Sequence, residues 1–370
     1  MFKIRISIKD GRALSSILVI SEVLRTTMSI YIVFALLFAA VAANPLLQSE
    51  NDGEEFLPAE IKQENWQLIP DNNGKMRLVD INDEINMEAE PSFNAPTDVR
   101  FNLFTRQNPT VPQLIQLRNN AQLAASNFVA GRQTRFHTHG WGAASHNAGS
   151  QIRNAWLQAM DCNVLIVDWS AGSDTANYIL ARNRVNEVGA AVADYIDWLV
   201  SQGSSYNNVV VSGHSLGAHV AGATGKRTNQ PIQAVVGLCP AGPLFSVDDP
   251  ANRIHHTDAQ YVEQITTNAG QLGHDQPFGV ANFFANWGVT QPGCGSEIGC
   301  SHGRVLDLYA SSIINTFPAT RCASLQNIRD NNCPPAGQAG RMGGEPINNS
   351  GAMPAGTVFF FATTATFPFV

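Results

Sequence analysis

Apolar positions in this 370-residue chain fall into two kinds of pattern. The first is a short, nearly unbroken run. Asn163-Val164-Leu165-Ile166-Val167-Asp168-Trp169, Val209-Val210-Val211, Ile232 to Leu238 and Val262-Glu263-Gln264-Ile265-Thr266 are of this kind. Runs of that length predict strands covered on both faces. The second kind has helical spacing. Val185, Val188, Val192, Tyr195, Ile196 and Leu199 recur every three or four residues, which predicts a helix over 185–202, and a second helix is expected over 153–160. Val99 to Phe104 alternates like a strand, and Arg135-Phe136-His137-Thr138-His139 reads as a strand running into Gly140. Residues 113–131 mix both spacings, so their state stays open. Strands alternating with helices predict a mostly parallel central sheet with helices on both faces, an α/β architecture without internal repeats.

Ahead of this pattern the chain reads differently. An apolar stretch over about 30–42 ends in the small residues Ala40-Val41-Ala42, the layout of a secretory signal segment within residues 1–43. Its continuous apolar run is short for a membrane span. Translation could start at Met1, with a basic leader, or at Met28, which gives a compact signal; an uncleaved anchor is the alternative. Residues 44–98 are acidic and poor in periodicity, and contain Pro58, Pro70, Pro91 and Pro96. They are expected to be a loosely ordered presegment or propeptide with at most one short strand.

Charge sharpens the division. The net charge of −7 is concentrated early: residues 44–99 hold thirteen acids against three Lys/Arg, whereas residues 100–370 hold fifteen of each sign. A near-neutral main domain whose only lysine is Lys226 does not suit nucleic acid or another polyanion. Six cysteines fit an oxidising compartment. Local pairing of Cys294 with Cys300 and of Cys322 with Cys333 is the simplest assignment, although spacing alone does not fix connectivity. Asn348-Asn349-Ser350 is the one glycosylation sequon.

The chemistry centres on Gly213-His214-Ser215-Leu216-Gly217-Ala218-His219, directly after Val209-Val210-Val211. A serine inside G-x-S-x-G, between a strand and a helix rich in small residues, is a nucleophile elbow. The turn strains the serine backbone, and the glycines two before and two after it are needed where strand and helix nearly touch. Acyl transfer also requires a base and oxyanion donors. The backbone N–H of Leu216 is one donor. The other is expected from His139-Gly140-Trp141-Gly142, through the N–H of Trp141. No motif implies a cofactor or a metal.

Several further segments make the chain similar to one family. They are His139-Gly140-Trp141, Val167-Asp168-Trp169, Gly237-Leu238-Cys239-Pro240-Ala241-Gly242-Pro243-Leu244-Phe245, Thr267-Asn268-Ala269-Gly270 and Cys300-Ser301-His302. Together with the elbow they resemble the pancreatic lipase family of α/β-hydrolases, in particular its secreted insect branch with the phospholipase A1-like enzymes. The likeness covers residues 99–370. It implies an α/β-hydrolase domain and a secreted, extracellular ester hydrolase with Ser215 as nucleophile and His302 as base. The implied partners are a lipid ester or phospholipid and, transiently, the lipid aggregate or membrane surface that carries it. The enzyme is expected to act as a monomer. Of the other histidines, His214 and His219 read as packing or hydrogen-bonding residues of the elbow. His137 and His146 read as ordinary surface or strand residues.

Two departures qualify the resemblance. Where the family has aspartate, in Gly-Leu-Asp-Pro-Ala, this chain has Cys239. A neutral thiol accepts poorly from an imidazole N–H and cannot stabilise an imidazolium. Three rescues are conceivable: ionisation of Cys239 beside protonated His302, a carboxylate from Asp248 or Asp249, or orientation of the histidine by Asn268. The second departure is the lid. Only residues 295–299 separate Cys294 from Cys300, where triglyceride lipases of the family carry a long flap. This implies phospholipid or small-ester hydrolysis without interfacial activation. The chain also ends soon after His302, so the resemblance implies that the C-terminal sandwich domain of the vertebrate enzymes is missing. A catalytically inactive lipid carrier or yolk-like storage protein on the same fold is the alternative function.

Overall fold

The computed structural model describes residues 66–70, 76–81, 92–142, 148–347 and 353–370. The expected signal segment, most of the acidic presegment, His146 and the sequon lie outside the described residues. Eleven strands form one sheet: β3 (Arg100–Phe104), β4 (Gln113–Leu114), β5 (Thr134–Thr138), β6 (Asn163–Asp168), β7 (Val209–His214), β8 (Ala234–Leu238), β9 (Tyr261–Thr266), β10 (Ala281–Ala285), β11 (Phe317–Arg321), β12 (Gly340–Met342) and β13 (Thr357–Phe361). Their spatial order is β12-β11-β13-β10-β9-β8-β7-β5-β6-β3-β4. The seven strands from β13 to β6 are mutually parallel, and antiparallel strands flank them at both edges. This is the expected α/β-hydrolase architecture.

Four helices of ten residues or more form among the described residues: α1 (Ser150–Ala159), α2 (Tyr178–Ser201), α3 (Leu216–Gly225) and α4 (Ile298–Ile314). The continuous apolar runs are explained by them. Along β6, Leu165 and Val167 belong to one core, with α2 and α3, while Val164 and Ile166 belong to a second core, with α1 and α4. Because successive strand residues point to opposite faces, a strand covered on both sides must be apolar throughout. Each fully buried aliphatic side chain contributes about 1.5–3 kcal/mol to this packing. Trp156 of α1 meets Tyr309 of α4 edge to face, with centroids 6.0 Å apart.

The acidic segment holds more structure than one short strand. Trp66–Pro70 (β1) pairs antiparallel with Met76–Asp80 (β2) as a separate two-stranded sheet. Ile69 and Val79 are buried in the same core as Phe136 and Leu216. Residues 113–131 resolve into the brief strand β4 and a single helical turn, Asn120–Ala124, which accounts for their mixed spacing.

Two disulfides close as expected, Cys294–Cys300 and Cys322–Cys333, and Cys162 and Cys239 are free and buried. A buried ion pair ties the sheet to the C-terminal region. Arg135 of β5 donates from Nε and Nη2 to the two carboxylate oxygens of Glu345, at 2.9 and 2.8 Å.

Candidate active site

Strand β5 lies between β6 and β7, so the chain leaves neighbouring strand ends in opposite directions there. In open parallel sheets such a point is where ligands bind. The turn after β7 contains Ser215 at φ 56° and ψ −119°, a conformation that costs a non-glycine residue energy. The surrounding packing enforces it. A Cβ on Gly213 would run into the backbone of Gly217, and one on Gly217 would run into the carbonyls of Thr138 and His139. Both elbow glycines are therefore required by close backbone approach. The Ser215 N–H donates to the carbonyl of Leu238 at 3.1 Å, and the Ala241 N–H donates to the carbonyl of Ser215 at 3.3 Å. The nucleophile position is thus fastened to the end of β8.

The loop after β5 is held just as firmly. Trp141 is buried, and its indole N–H donates to Thr175 O at 2.9 Å. The Gly142 N–H donates to Ser173 O, and the Ser173 hydroxyl returns a bond to Gly142 O, each 2.9 Å. The Trp169 indole donates to His139 O, also at 2.9 Å. Residues 139–142 and 169–175 therefore brace each other beside the first turn of α3.

His302 stands in the second turn of α4, two residues after the Cys294–Cys300 loop closes. Its Nδ1 lies 3.2 Å from the sulfur of Cys239, the residue that follows β8. That leaves Nε2 to face other chemistry. The imidazole also packs against the ring of His214, the residue before Ser215, at 4.7 Å between centroids. So the structure places Ser215 and Cys239 just past the ends of the adjoining strands β7 and β8, and His302 on α4 against Cys239 and His214.

The electrostatics of the pair are those of two neutral groups. Burial pushes the Cys239 thiol up, against the opposing pull of Thr267 and of the Asn268 N–H. Burial, reinforced by His214, holds His302 well below the usual histidine range. Both shifts disfavour a thiolate–imidazolium pair. The other two rescues fail on geometry. The Asn268 side chain donates to Gln271 and to the carbonyl of Val289 and accepts from the Leu272 N–H, which commits it to its own loop. Asp249 accepts from Asn252 at 2.6 Å, and Asp248 is exposed.

Two other histidines are structural. His219 Nε2 bonds Ala241 O at 2.9 Å, and its ring stacks on Phe245, as the packing reading anticipated. His137 is the strand residue of the two readings: on β5 it is 1 % exposed, its Nδ1 is 2.9 Å from the Ser212 hydroxyl, and burial lowers its pKa to about 3. Gln291 is a positioning residue that sequence reasoning missed. Its side-chain amide donates to Thr267 O and Ala285 O, at 3.0 and 2.9 Å, and its N–H donates to Ser301 Oγ at 3.1 Å. It anchors the segment that carries His302 to the ends of β9 and β10.

A sequence model described as Lipase matches residues 71–369. Among curated proteins, "Lipase member H" of Xenopus tropicalis is 35 % identical over 250 residues, covering 64 % of this chain and 53 % of that protein. "Pancreatic lipase-related protein 2" of Cavia porcellus is 36 % identical over 260 residues, covering 67 % and 59 %. The chain thus spans little more than half the length of these relatives. Among solved structures, esterase PE8 aligns at 16 % identity with a TM-score of 0.29, over 37 % of this chain and 68 % of that one.

Proposed function

This chain belongs to the lipase family, and on that footing we propose that it hydrolyses lipid carboxylic esters by serine acyl-enzyme chemistry. One observation carries the reading: a strained, glycine-locked Ser215 follows His214, whose ring packs on His302, a histidine whose Nδ1 is already engaged. In this scheme Ser215 Oγ attacks the acyl carbonyl and gives its proton to Nε2 of His302. The N–H groups of Leu216 and Trp141 receive the developing oxyanion. The tetrahedral adduct collapses as His302 returns the proton to the departing alcohol. Water then repeats the sequence and frees the acid.

Cys239 limits the rate. The triad carboxylate orients the imidazole and stabilises its charged form, and its replacement by a neutral group costs about 10⁴ in kcat in the chymotrypsin template. A buried neutral thiol orients His302 without supplying the charge. The five residues between Cys294 and Cys300 form a loop too short for a large flap, which favours phospholipid, phospholipase A1-like or small-ester substrates. Two disulfides support an extracellular, secreted protein.

The same thiol supports a second reading, a lipid carrier without turnover. Fluorophosphonate labelling together with ester turnover, in wild type, Ser215→Ala and Cys239→Asp, separates the two. The enzyme reading requires labelling and turnover that disappear in Ser215→Ala, and a rise in Cys239→Asp shows that the thiol limits the rate. If Ser215 does not label and Cys239→Asp gains nothing, the carrier reading stands instead.

A further inference from the structure

The loop after β5 contains a hydrogen bond that fixes the plane of one particular peptide. Gly140 C=O and Trp141 N–H are the two ends of a single peptide unit, so in the trans form they point in opposite directions. His139 Nδ1 lies 2.9 Å from Gly140 O. On the far side of the same ring, Nε2 accepts from the backbone N–H of Trp169 at 3.1 Å. A ring nitrogen that accepts has no proton of its own, so in the neutral imidazole the proton sits on Nδ1 and is donated to Gly140 O. Trp169, the residue after β6, secures the rest of His139. The two rings stack at 5.5 Å and 15°, and the Trp169 indole N–H donates to His139 O at 2.9 Å. Asp168 Oδ1, 3.8 Å from Nε2, accepts from the Ser170 N–H and hydroxyl. Among the described residues no backbone carbonyl accepts from the Trp141 N–H, at the other end of the pinned unit.

We propose that His139 is a positioning residue: the proton on its Nδ1 turns the Gly140–Trp141 peptide so that the Trp141 N–H faces the nucleophile, and the backbone of Trp169 decides where that proton sits. The inference rests on the ester-hydrolase reading for what the Trp141 N–H serves, and His139 acts through that peptide and not on the ester. Gly140 cannot hold the plane by itself, because a residue without Cβ tolerates either orientation of the peptide that follows it. The orienting bond has to come from a side chain, and His139 provides it. The nearby Asp168 carboxylate draws the imidazole proton toward Nε2, and the Trp169 N–H, directed at the same nitrogen, opposes it. With its proton on Nε2 the ring would meet that N–H donor to donor and would leave Gly140 O without its bond. Proton placement on a buried ring is in this way coupled to an oxyanion donor on the next residue but one.

The test follows the full chain, labelled with ¹⁵N, by NMR and by kinetics. Histidine ¹⁵N shifts give the tautomer of His139, and the residual dipolar coupling of the Trp141 N–H gives the direction of that bond. His139→Asn keeps a side-chain N–H near the position of Nδ1, whereas His139→Leu removes it. Wild type should carry the proton on Nδ1. His139→Leu should change the Trp141 coupling while that of the Leu216 N–H stays. It should also lower kcat for p-nitrophenyl butyrate by about 10²–10³ with KM within about threefold, as expected for a lost oxyanion donor. His139→Asn should keep the wild-type coupling and have a kcat at least about tenfold above that of His139→Leu. A proton on Nε2, a Trp141 coupling that His139→Leu leaves unchanged, or one that both variants change alike would overturn the proposal. So would an unchanged kcat in His139→Leu when wild type does hydrolyse the ester, and the enzyme reading would then stand. Couplings as expected in a chain that hydrolyses nothing would keep the positioning role and sink the enzyme reading.

Discussion

Nδ1 of His302 and Sγ of Cys239 lie 3.2 Å apart, so the imidazole has its orienting partner but not a charged one. Position 239 is also one of the few non-glycine residues with positive φ, at 45°. Aspartate and asparagine visit that region more readily than cysteine does. Backbone and environment at 239 therefore both suit an acid, and this chain has a thiol there.

Cys239→Asp should raise kcat for a soluble ester by about two to four orders of magnitude, the reverse of removing a triad carboxylate. It should also shift the acid limb of the kcat/KM profile to higher pH. In wild type, burial and His214 hold His302 low, whereas an adjacent carboxylate would stabilise its protonated form. Initial rates between pH 4 and 9 check both effects. Equal kcat in the two proteins would show that the thiol suffices.

Folding stability should rise as pH increases from about 4 to 6.5. His137 and His219 have folded pKa values of about 3, and His214 of about 4, against an ordinary 6.5. The folded chain binds fewer protons at these sites, so their contribution is full above 6.5 and is lost as pH falls toward the folded values. Glu263 and Asp258, raised to about 7 and about 6 by burial, work the other way and lose their contribution as pH rises. Three strongly lowered histidines outweigh two raised acids. Calorimetric melts across this window should show Tm climbing, and less steeply in His137→Gln. A flat or falling wild-type curve would refute the balance.

Gly217→Ala should destabilise the fold by roughly 1–3 kcal/mol, the usual cost of overpacking. The added methyl meets the carbonyls of Thr138 and His139 instead of a flexible side chain. Fluorophosphonate labelling should fall as well, because relief of the clash moves α3 away from the oxyanion loop. Denaturant titration gives the first quantity. Wild-type stability in this variant would mean that the contact is not tight.

Glu345→Ala leaves the Arg135 guanidinium buried without its bidentate partner, which should cost about 3–5 kcal/mol. Replacing both residues with apolar ones of similar size should recover much of the loss. If the single variant melts with wild type, the pair carries no net stability.

The parts of the fold written in unbroken apolar runs were legible in the sequence: β6, β7, β8 and β9 all fall on them. So was the elbow, since its glycines answer a backbone contact that no other residue allows. His302 was placed by its neighbouring cysteine, yet the helix that holds it was not read, although Val305, Leu308, Tyr309 and Ile313 carry helical spacing. For His137 the sequence left surface and strand both open, and strand order decides: on a central strand with helices on both faces, neither side reaches water. The β1–β2 hairpin was harder still. Its inward anchors, Ile69 and Val79, each follow an exposed leucine, Leu68 and Leu78, so no alternation marks the buried face. Gln291 gave no signal, because its partners are carbonyls of strands distant in sequence.

Gly217 touching the carbonyls of Thr138 and His139 has a consequence beyond stability. The elbow and the oxyanion loop move as one rigid part, and the bonds that unite them do not run through residue 239. A change at 239 can therefore mute or restore turnover while the rest of the machinery keeps its shape. On the ester-hydrolase reading, position 239 is then a dial for catalytic strength that can turn either way while the elbow keeps its geometry.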